Sequence, residues 1–287
     1  AGTTEVEVGD GVVRAKPMEQ AAKHSLYYNA EQIYNSIVNF DTNFTDLTYT
    51  NPYVVSMRAA DPNGDFISKG NPNYYFYILP SYMYVFAMGN NASTMIAKVR
   101  TTGLYKPNER ANVQLATVDC PGGTRVVCEI NGTRVVDMID GNSVKEPGYL
   151  LFWNEQGKDI EVLEPSRPAI NLNDKIYAKP YAEKGDLVVP ATEAVKSSGE
   201  WVTTFGVGAN TTLIQAHKQK EGPAALVYEL RANVDFYDVY YWNGITYTGD
   251  ENVKVTIISP YDGEDKVYTI SNRWGTAGWM YLGTVES

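Results

Sequence analysis

The chain has 287 residues, with 24 lysines and arginines against 34 aspartates and glutamates, and a formal net charge of −10. Sequence-independent nucleic-acid binding runs on Lys and Arg contacts to phosphate, so this balance, with no basic cluster, argues against nucleic acid and anionic membrane surfaces as partners. Apolar residues make up 44% of the chain, too many for general disorder, and no run approaches the roughly 20 apolar residues of a membrane span.

Tyrosine occurs 22 times, beside 5 Trp and 8 Phe. Runs rich in Tyr, Val and Thr, separated by Gly and Asn turns, define a strand-and-turn protein. The length suits one large or two ordinary domains.

Ala1-Gly2-Thr3-Thr4 has the small residues of a mature N-terminus left by a secretory leader. In the next stretch Val6 and Val8 share one face and Glu5 and Glu7 the other, a short strand. Such a terminal strand pairs within its own sheet or reaches into a neighbouring subunit. Pro17 suits a first helical position. Leu26, Tyr27, Ala30, Ile33, Tyr34, Ile37 and Val38 then recur at spacings of three and four, which predicts an amphipathic helix over 17–39. Residues 1–40 are therefore expected to form an assembly arm, with Val6, Val8, Leu26, Ile33 and Ile37 as its contact residues.

Residues 41–165 read as a first β domain. Asp61-Pro62-Asn63-Gly64-Asp65 places three oxygen side chains at alternate positions, and Asp61, Asn63 and Asp65 form a calcium candidate. The loop departs from the EF-hand pattern, with Gly at the fourth position and Pro72 at the twelfth. The densest aromatic run covers residues 71–91. Its segment Tyr82-Met83-Tyr84-Val85-Phe86-Ala87-Met88 is apolar on both faces, which predicts a strand covered on both sides. The alternative reading is an aromatic platform for a sugar. Cys120 and Cys128 flank Pro121-Gly122-Gly123, and a disulfide across that hairpin is expected, which would place the protein outside the cytoplasm. Asn131-Gly132 is a two-residue hairpin turn.

The extended segment Glu164-Pro165-Ser166-Arg167-Pro168 marks a boundary. Residues 166–287 read as a second β domain, with clear strand and turn alternation from Ala225 onward. The fold expectation is mainly β: two antiparallel β-sandwich domains of immunoglobulin-like architecture, without the Cys–Trp–Cys hallmark, and one N-terminal helix. Asn43, Asn91, Asn131 and Asn210 head glycosylation sequons.

For nucleophilic catalysis the chain offers only His24 and His217, with no G-x-S-x-G elbow. Walker A, Rossmann and H-E-x-x-H signatures are absent, and nothing selects a glycosidase pair from the acidic residues. A non-enzyme without a cofactor, the calcium candidate apart, is expected. The sequence favours an extracellular structural protein that assembles with copies of itself into a filament or surface layer, its N-terminal strand donated to a neighbour. The alternatives are a carbohydrate-binding or adhesin module, with Trp242, Trp274 or Trp279 stacking on glycans, and a virion structural protein.

Overall fold

A computed structural model of the chain describes residues 4–17, 24–27, 32–89, 92–141, 144–154, 160–173, 178–179, 182, 184–205, 213–217, 224–230, 236–261 and 263–286. Their regular structure is β strand, with one three-residue 3-10 turn at Ala191–Glu193. No described helix is long and apolar enough to cross a membrane. The chain divides into two compact units, residues 1–177 with 274–276, and residues 178–273 with 277–287.

The first unit is built from two antiparallel sheets packed face to face. One runs in the order β1 (Thr4–Gly9), β2 (Val12–Pro17), β13 (Ile160–Leu163), β4 (Ser36–Thr42), β9 (Ala111–Cys120), β10 (Gly123–Ile130), β11 (Thr133–Asp140). The other runs β22 (Gly275–Thr276), β8 (Ser93–Arg100), β7 (Tyr82–Met88), β6 (Asn73–Ile78), β5 (Tyr53–Ala59), β12 (Tyr149–Asn154), β3 (His24–Tyr27). The core lies between them. Phe40 of β4 meets Phe152 of β12 edge-on at 5.0 Å, and the Cys128 thiol of β10 lies 3.8 Å from the Met83 sulfur of β7. Tyr74, Phe76, Ile78, Met83 and Val85 are fully buried on this inner side. Removing each aliphatic or Phe side chain from water contributes about 1.5–3 kcal/mol, which fixes the register, because a one-residue slip would turn that whole set outward.

In the second unit β14 (Ala178–Lys179), β23 (Gly278–Glu286) and β19 (Phe236–Asn243) form one sheet. Three separate pairs accompany it: β15 (Lys196–Ser198) with β18 (Ala225–Val227), β16 (Trp201–Phe205) with β17 (Leu213–His217), and β20 (Val253–Ile257) with β21 (Lys266–Ile270). The described residues of this unit thus give a small sheet and three ribbons rather than two facing immunoglobulin-like sheets.

Two sequence expectations are corrected, the helix and the disulfide. The helix over 17–39 is not formed. His24–Tyr27 pairs with Leu151–Asn154 at a sheet edge, Ile33 bridges Gly148, and Ser36–Thr42 is inserted between β13 and β9. The spacing that reads as a helical stripe also alternates over Ser36, Val38 and Phe40, which face inward. β-branched, aromatic and Asn residues are weak helix formers, and pairing on both sides of β4 prevails over local propensity. Residues 18–23 and 28–31 lie outside the described residues.

The N-terminal strand pairs within its own chain. The turn at Asp10-Gly11, with φ of 51° and 74°, folds β1 onto β2, and β2 continues onto β13 of the same chain. Of the assembly residues, Val8, Ile33 and Ile37 are exposed. Val6 pairs with Ala15 and Leu26 with Phe152 along the backbone.

Second, Cys120 and Cys128 are free thiols. Cys128 stands opposite Leu115 and Cys120 opposite Gly123, so the two are five strand positions apart, roughly 17 Å at 3.4 Å per residue. A disulfide needs Cα atoms within about 7 Å. The odd offset also puts them on opposite faces. Burial pushes the Cys120 thiol up and raises that of Cys128 well above the usual thiol range.

Residues 164–172 are strapped across the outer face of the first sheet. Arg110 donates to the Glu164 carbonyl, Asn39 to that of Arg167, Arg134 to that of Asn171 and Arg125 to that of Leu172. Ile170 and Leu172 pack on Ala116, Val118 and Val127. Ser166 donates to Asp41, which also receives Asn112 and the Arg110 guanidinium at 2.6 Å. Burial raises the Asp41 pKa, but the hydrogen bonds from Asn112, Arg110 and Ser166 outweigh it and hold the carboxyl below its ordinary value of 3.8. A carboxylate depressed in the folded state adds stability above its unfolded pKa, and that stability is lost as pH falls through the folded value. Between about pH 5 and pH 2, the stability difference between wild type and Asp41→Asn should therefore shrink, as read by urea denaturation. A difference independent of pH would remove this role.

Candidate functional site

On β7 the two faces differ in kind. Met83, Val85 and Ala87 point inward and are buried, while Tyr82, Tyr84 and Phe86 point outward and are half-buried. The cross-strand register places Tyr77 of β6 opposite Tyr84 and Tyr75 opposite Phe86. On the other side it places Lys98 of β8 opposite Tyr84 and Arg100 opposite Tyr82. The outer face of the second sheet thus carries a field of rings with two cations along one edge.

Two residues from distant segments extend it. Tyr49 stands in the turn closed by Thr48 and Asn51 and donates to Ser81 Oγ at 2.8 Å. Trp274 is delivered by β22, whose Gly275 and Thr276 pair with Lys98 and Ala97. Centroid separations along the row are 5.6 Å for Tyr49 to Tyr82, 5.9 Å for Tyr82 to Trp274, 5.1 Å for Tyr82 to Tyr84 and 6.1 Å for Tyr84 to Phe86. The Lys98 ammonium lies 4.4 Å from the Trp274 centroid and 5.7 Å from that of Tyr84, and the Arg100 guanidinium lies 4.8 Å from Trp274. Each such contact contributes about 0.5–2 kcal/mol, more where water is excluded, and together they fix the indole against β8.

The other half of this face is roofed by the loop over residues 60–72. Phe66 is buried edge-on against Tyr75 at 5.0 Å and Trp153 at 5.4 Å, in a cluster with Val54 and Met88. Asn71 ties the loop, accepting from Asp61 N and donating to the carbonyls of Asp61 and Asp65. Asn73 donates to the carbonyls of Phe66 and Asn71. The calcium candidates lie in this loop. Asp61 accepts from Asn63 N and Asp65 from Ile67 N, at 2.9 and 3.1 Å, so these carboxylates serve as turn acceptors. Among the described residues no three His, Cys, Asp or Glu side chains are grouped to hold a metal ion.

The remaining sequence candidates are scattered. Asn43 donates to Glu161. Asn131, at φ 49°, accepts from Asn112 N and donates to the Leu104 carbonyl, so its amide is engaged in the hairpin. Asn91 and Asn210 lie outside the described residues. Trp242 and Trp279 form a cross-strand, edge-to-face pair at 5.6 Å in the second unit. His24 and His217 sit in β3 and β17. Lys98, Arg100 and Tyr49 were not singled out by the sequence. The signal that was present is the alternation of β7, whose rings fall on one face and aliphatic side chains on the other.

No family model matches the chain, and no curated protein matches it in sequence. Among solved structures, a carbohydrate-binding module from Bacillus subtilis is 16% identical, covering 57% of this chain and 90% of its own, with a TM-score of 0.36. The legume lectin-like domain from Entamoeba histolytica is 11% identical, covering 57% and 86%, with a TM-score of 0.41. Sheep galectin-11 is 10% identical, covering 50% and 98%, with a TM-score of 0.32.

Proposed function

We propose that the outer face of the second sheet binds carbohydrate, and that the chain is a non-catalytic glycan-binding or adhesin module acting outside the cell. The observation that carries this reading is the row of partly exposed rings Tyr49, Tyr82, Tyr84 and Phe86, with Trp274 branching from Tyr82, the neighbouring centroids 5.1–6.1 Å apart. Rings on the inner side of the same sheet are sealed in the core, so this row is not needed to close it. A contiguous apolar patch rimmed by polar groups marks an interaction site. Sugar rings present C–H patches framed by hydroxyls, which match aromatic faces with phenolic edges.

The test is a glycan array followed by calorimetry on the full chain, with Tyr84→Ala and Trp274→Ala as variants. Truncating a central aromatic anchor costs about 2 kcal/mol or more, so each variant should bind about thirtyfold more weakly with its circular dichroism unchanged. A chain that binds no glycan, or variants that bind as the wild type does, would overturn the proposal.

A further inference from the structure

We propose that the second unit carries a sugar site of its own, for a neutral glycan, on the outer face of its small sheet; the class of ligand rests on the carbohydrate reading above. β19 and β23 pair so that Tyr240 stands opposite Tyr281 and Trp242 opposite Trp279. Residues opposite each other, or two apart on one strand, share a face. All four rings therefore lie on one side, with Phe236 further along it. The paired centroids are 5.4 Å apart for the tyrosines and 5.6 Å for the tryptophans. The opposite side is the packed one: Ala178, Leu282 and Val285 are buried there, and Tyr241 donates to Asn272 Oδ1. The rings of the outer side are not drawn into that core. Phe236 and Tyr281 are 63% and 52% exposed, and Tyr240, Trp242 and Trp279 are half-buried.

The groups around these rings decide between occupants. Asp238 and Glu286 are exposed on the same face. Asp238 accepts from the Thr284 hydroxyl at 2.6 Å, and the Tyr281 hydroxyl lies 2.9 Å from that of Thr284. These carboxylates, with a net charge of −10 on the chain, oppose an anionic ligand. The Lys179 ammonium lies 4.7 Å from the Tyr240 centroid, over the ring that a cationic ligand would need. A wholly apolar partner would strip water from the carboxylates without replacing its hydrogen bonds. A neutral sugar meets every condition: its hydroxyls donate to carboxylate and phenolic oxygens, and its C–H faces rest on the rings.

The experiment is calorimetric titration of the full chain with cellohexaose, xylohexaose and mannohexaose, and with a polyuronate hexamer as the anionic comparison. At least one neutral probe should bind at two molecules per chain. Trp274→Ala should weaken one of the two events and Tyr281→Ala the other, the latter by about tenfold. Tyr281 is exposed, so its variant is expected to fold, and its thermal melt checks that. Tyr281→Phe keeps the ring and should bind two molecules as the wild type does. One molecule per chain, weakened by Trp274→Ala and unmoved by Tyr281→Ala, would overturn the inference and leave the first site standing. One molecule weakened by Tyr281→Ala alone would support the inference and overturn the reading of the first unit. Polyuronate bound as tightly as the neutral probes, and weakened by Tyr281→Ala, would overturn the assignment to a neutral sugar. Failure of every probe would overturn both sites.

Discussion

Replacing Arg58 with methionine should lower the stability of the first unit by about 3 kcal/mol, read as a shift in the urea transition followed by Trp153 fluorescence. Arg58 lies on β5 with φ of 58°, a conformation that side chains with a Cβ rarely adopt. The cause is a bulge. Ala59 pairs with Tyr149 and Ser56 with Leu151, so Met57 and Arg58 together stand opposite Leu150. The extra residue turns the guanidinium between the sheets, where its side chain has no exposure. It pairs with Asp119 at 2.9 Å and donates to Thr124 Oγ1, Asn35 Oδ1 and the Thr117 carbonyl. The Tyr34 ring lies 4.9 Å away. Gly148 completes the arrangement, since a Cβ there would stand 2.2 Å from the Arg58 carbonyl carbon.

Removing one partner of a buried ion pair costs about 3–5 kcal/mol because the other is left uncompensated. The lower end applies because the Asp119 side chain is 29% exposed and can turn to water. Among the described residues Arg58 Nε and Asp119 Oδ2 have no hydrogen-bond partner, so the geometry is short of ideal. A double variant, Arg58→Met with Asp119→Leu, should therefore recover part of the loss. Arg58→Gly should be less harmful than Arg58→Ala by about 1 kcal/mol, because glycine accepts the positive φ without strain. A change below about 0.5 kcal/mol for Arg58→Met, the range of neutral surface substitutions, would show that the network does not hold the sheets together.

What could be read from the amino acids depended on whether the determinant was local. The strands of β6 and β7 were legible because their apolar runs, turns and flanking Asn residues lie side by side. The β10–β11 hairpin was legible because Asn131-Gly132 carries its own turn chemistry. The helix over 17–39 was misread because the fate of Ile33, Ile37 and Val38 is set by β9, β13 and Gly148, all far along the chain. The disulfide was misread because proximity across a turn depends on register, and the turn after Cys120 is so tight that Cys128 pairs with Leu115. The candidate site was half legible. Alternation on β7 separates a ring face from an aliphatic face, yet composition made both look like core. That Trp274, more than 170 residues further along the chain, lies on Lys98 and Arg100 follows from the β22–β8 pairing alone, which no neighbouring residue announces.

Phe66→Ala should be comparably disruptive, lowering stability by about 3 kcal/mol, and it should also disturb the ring row. Phe66 is 1% exposed although the loop that carries it has no regular structure. Its edge-on contacts with Tyr75 and Trp153 are each worth about 0.5–1.5 kcal/mol beyond burial. Large-to-small changes at buried Phe cost about 3–5 kcal/mol; a surface loop can settle into the gap, which sets the lower figure. Tyr75 stacks on Phe86 at 4.7 Å, so loss of the roof removes the backing of the last ring in the row. Trp153 should then become wetter and its emission shift to longer wavelength, while glycan affinity falls less than in Trp274→Ala, because Phe86 is displaced and not removed. Asn71→Ala offers the complementary test. It deletes the side chain that receives Asp61 N and binds two loop carbonyls, leaving buried polar groups unsatisfied at about 1–3 kcal/mol, without touching a ring. If the loop is the roof that sets where the platform ends, both variants should red-shift Trp153 and both should weaken glycan binding, in proportion to their loss of stability. Loss of stability with unchanged Trp153 emission would place the weakness elsewhere and leave the ring row independent of its roof.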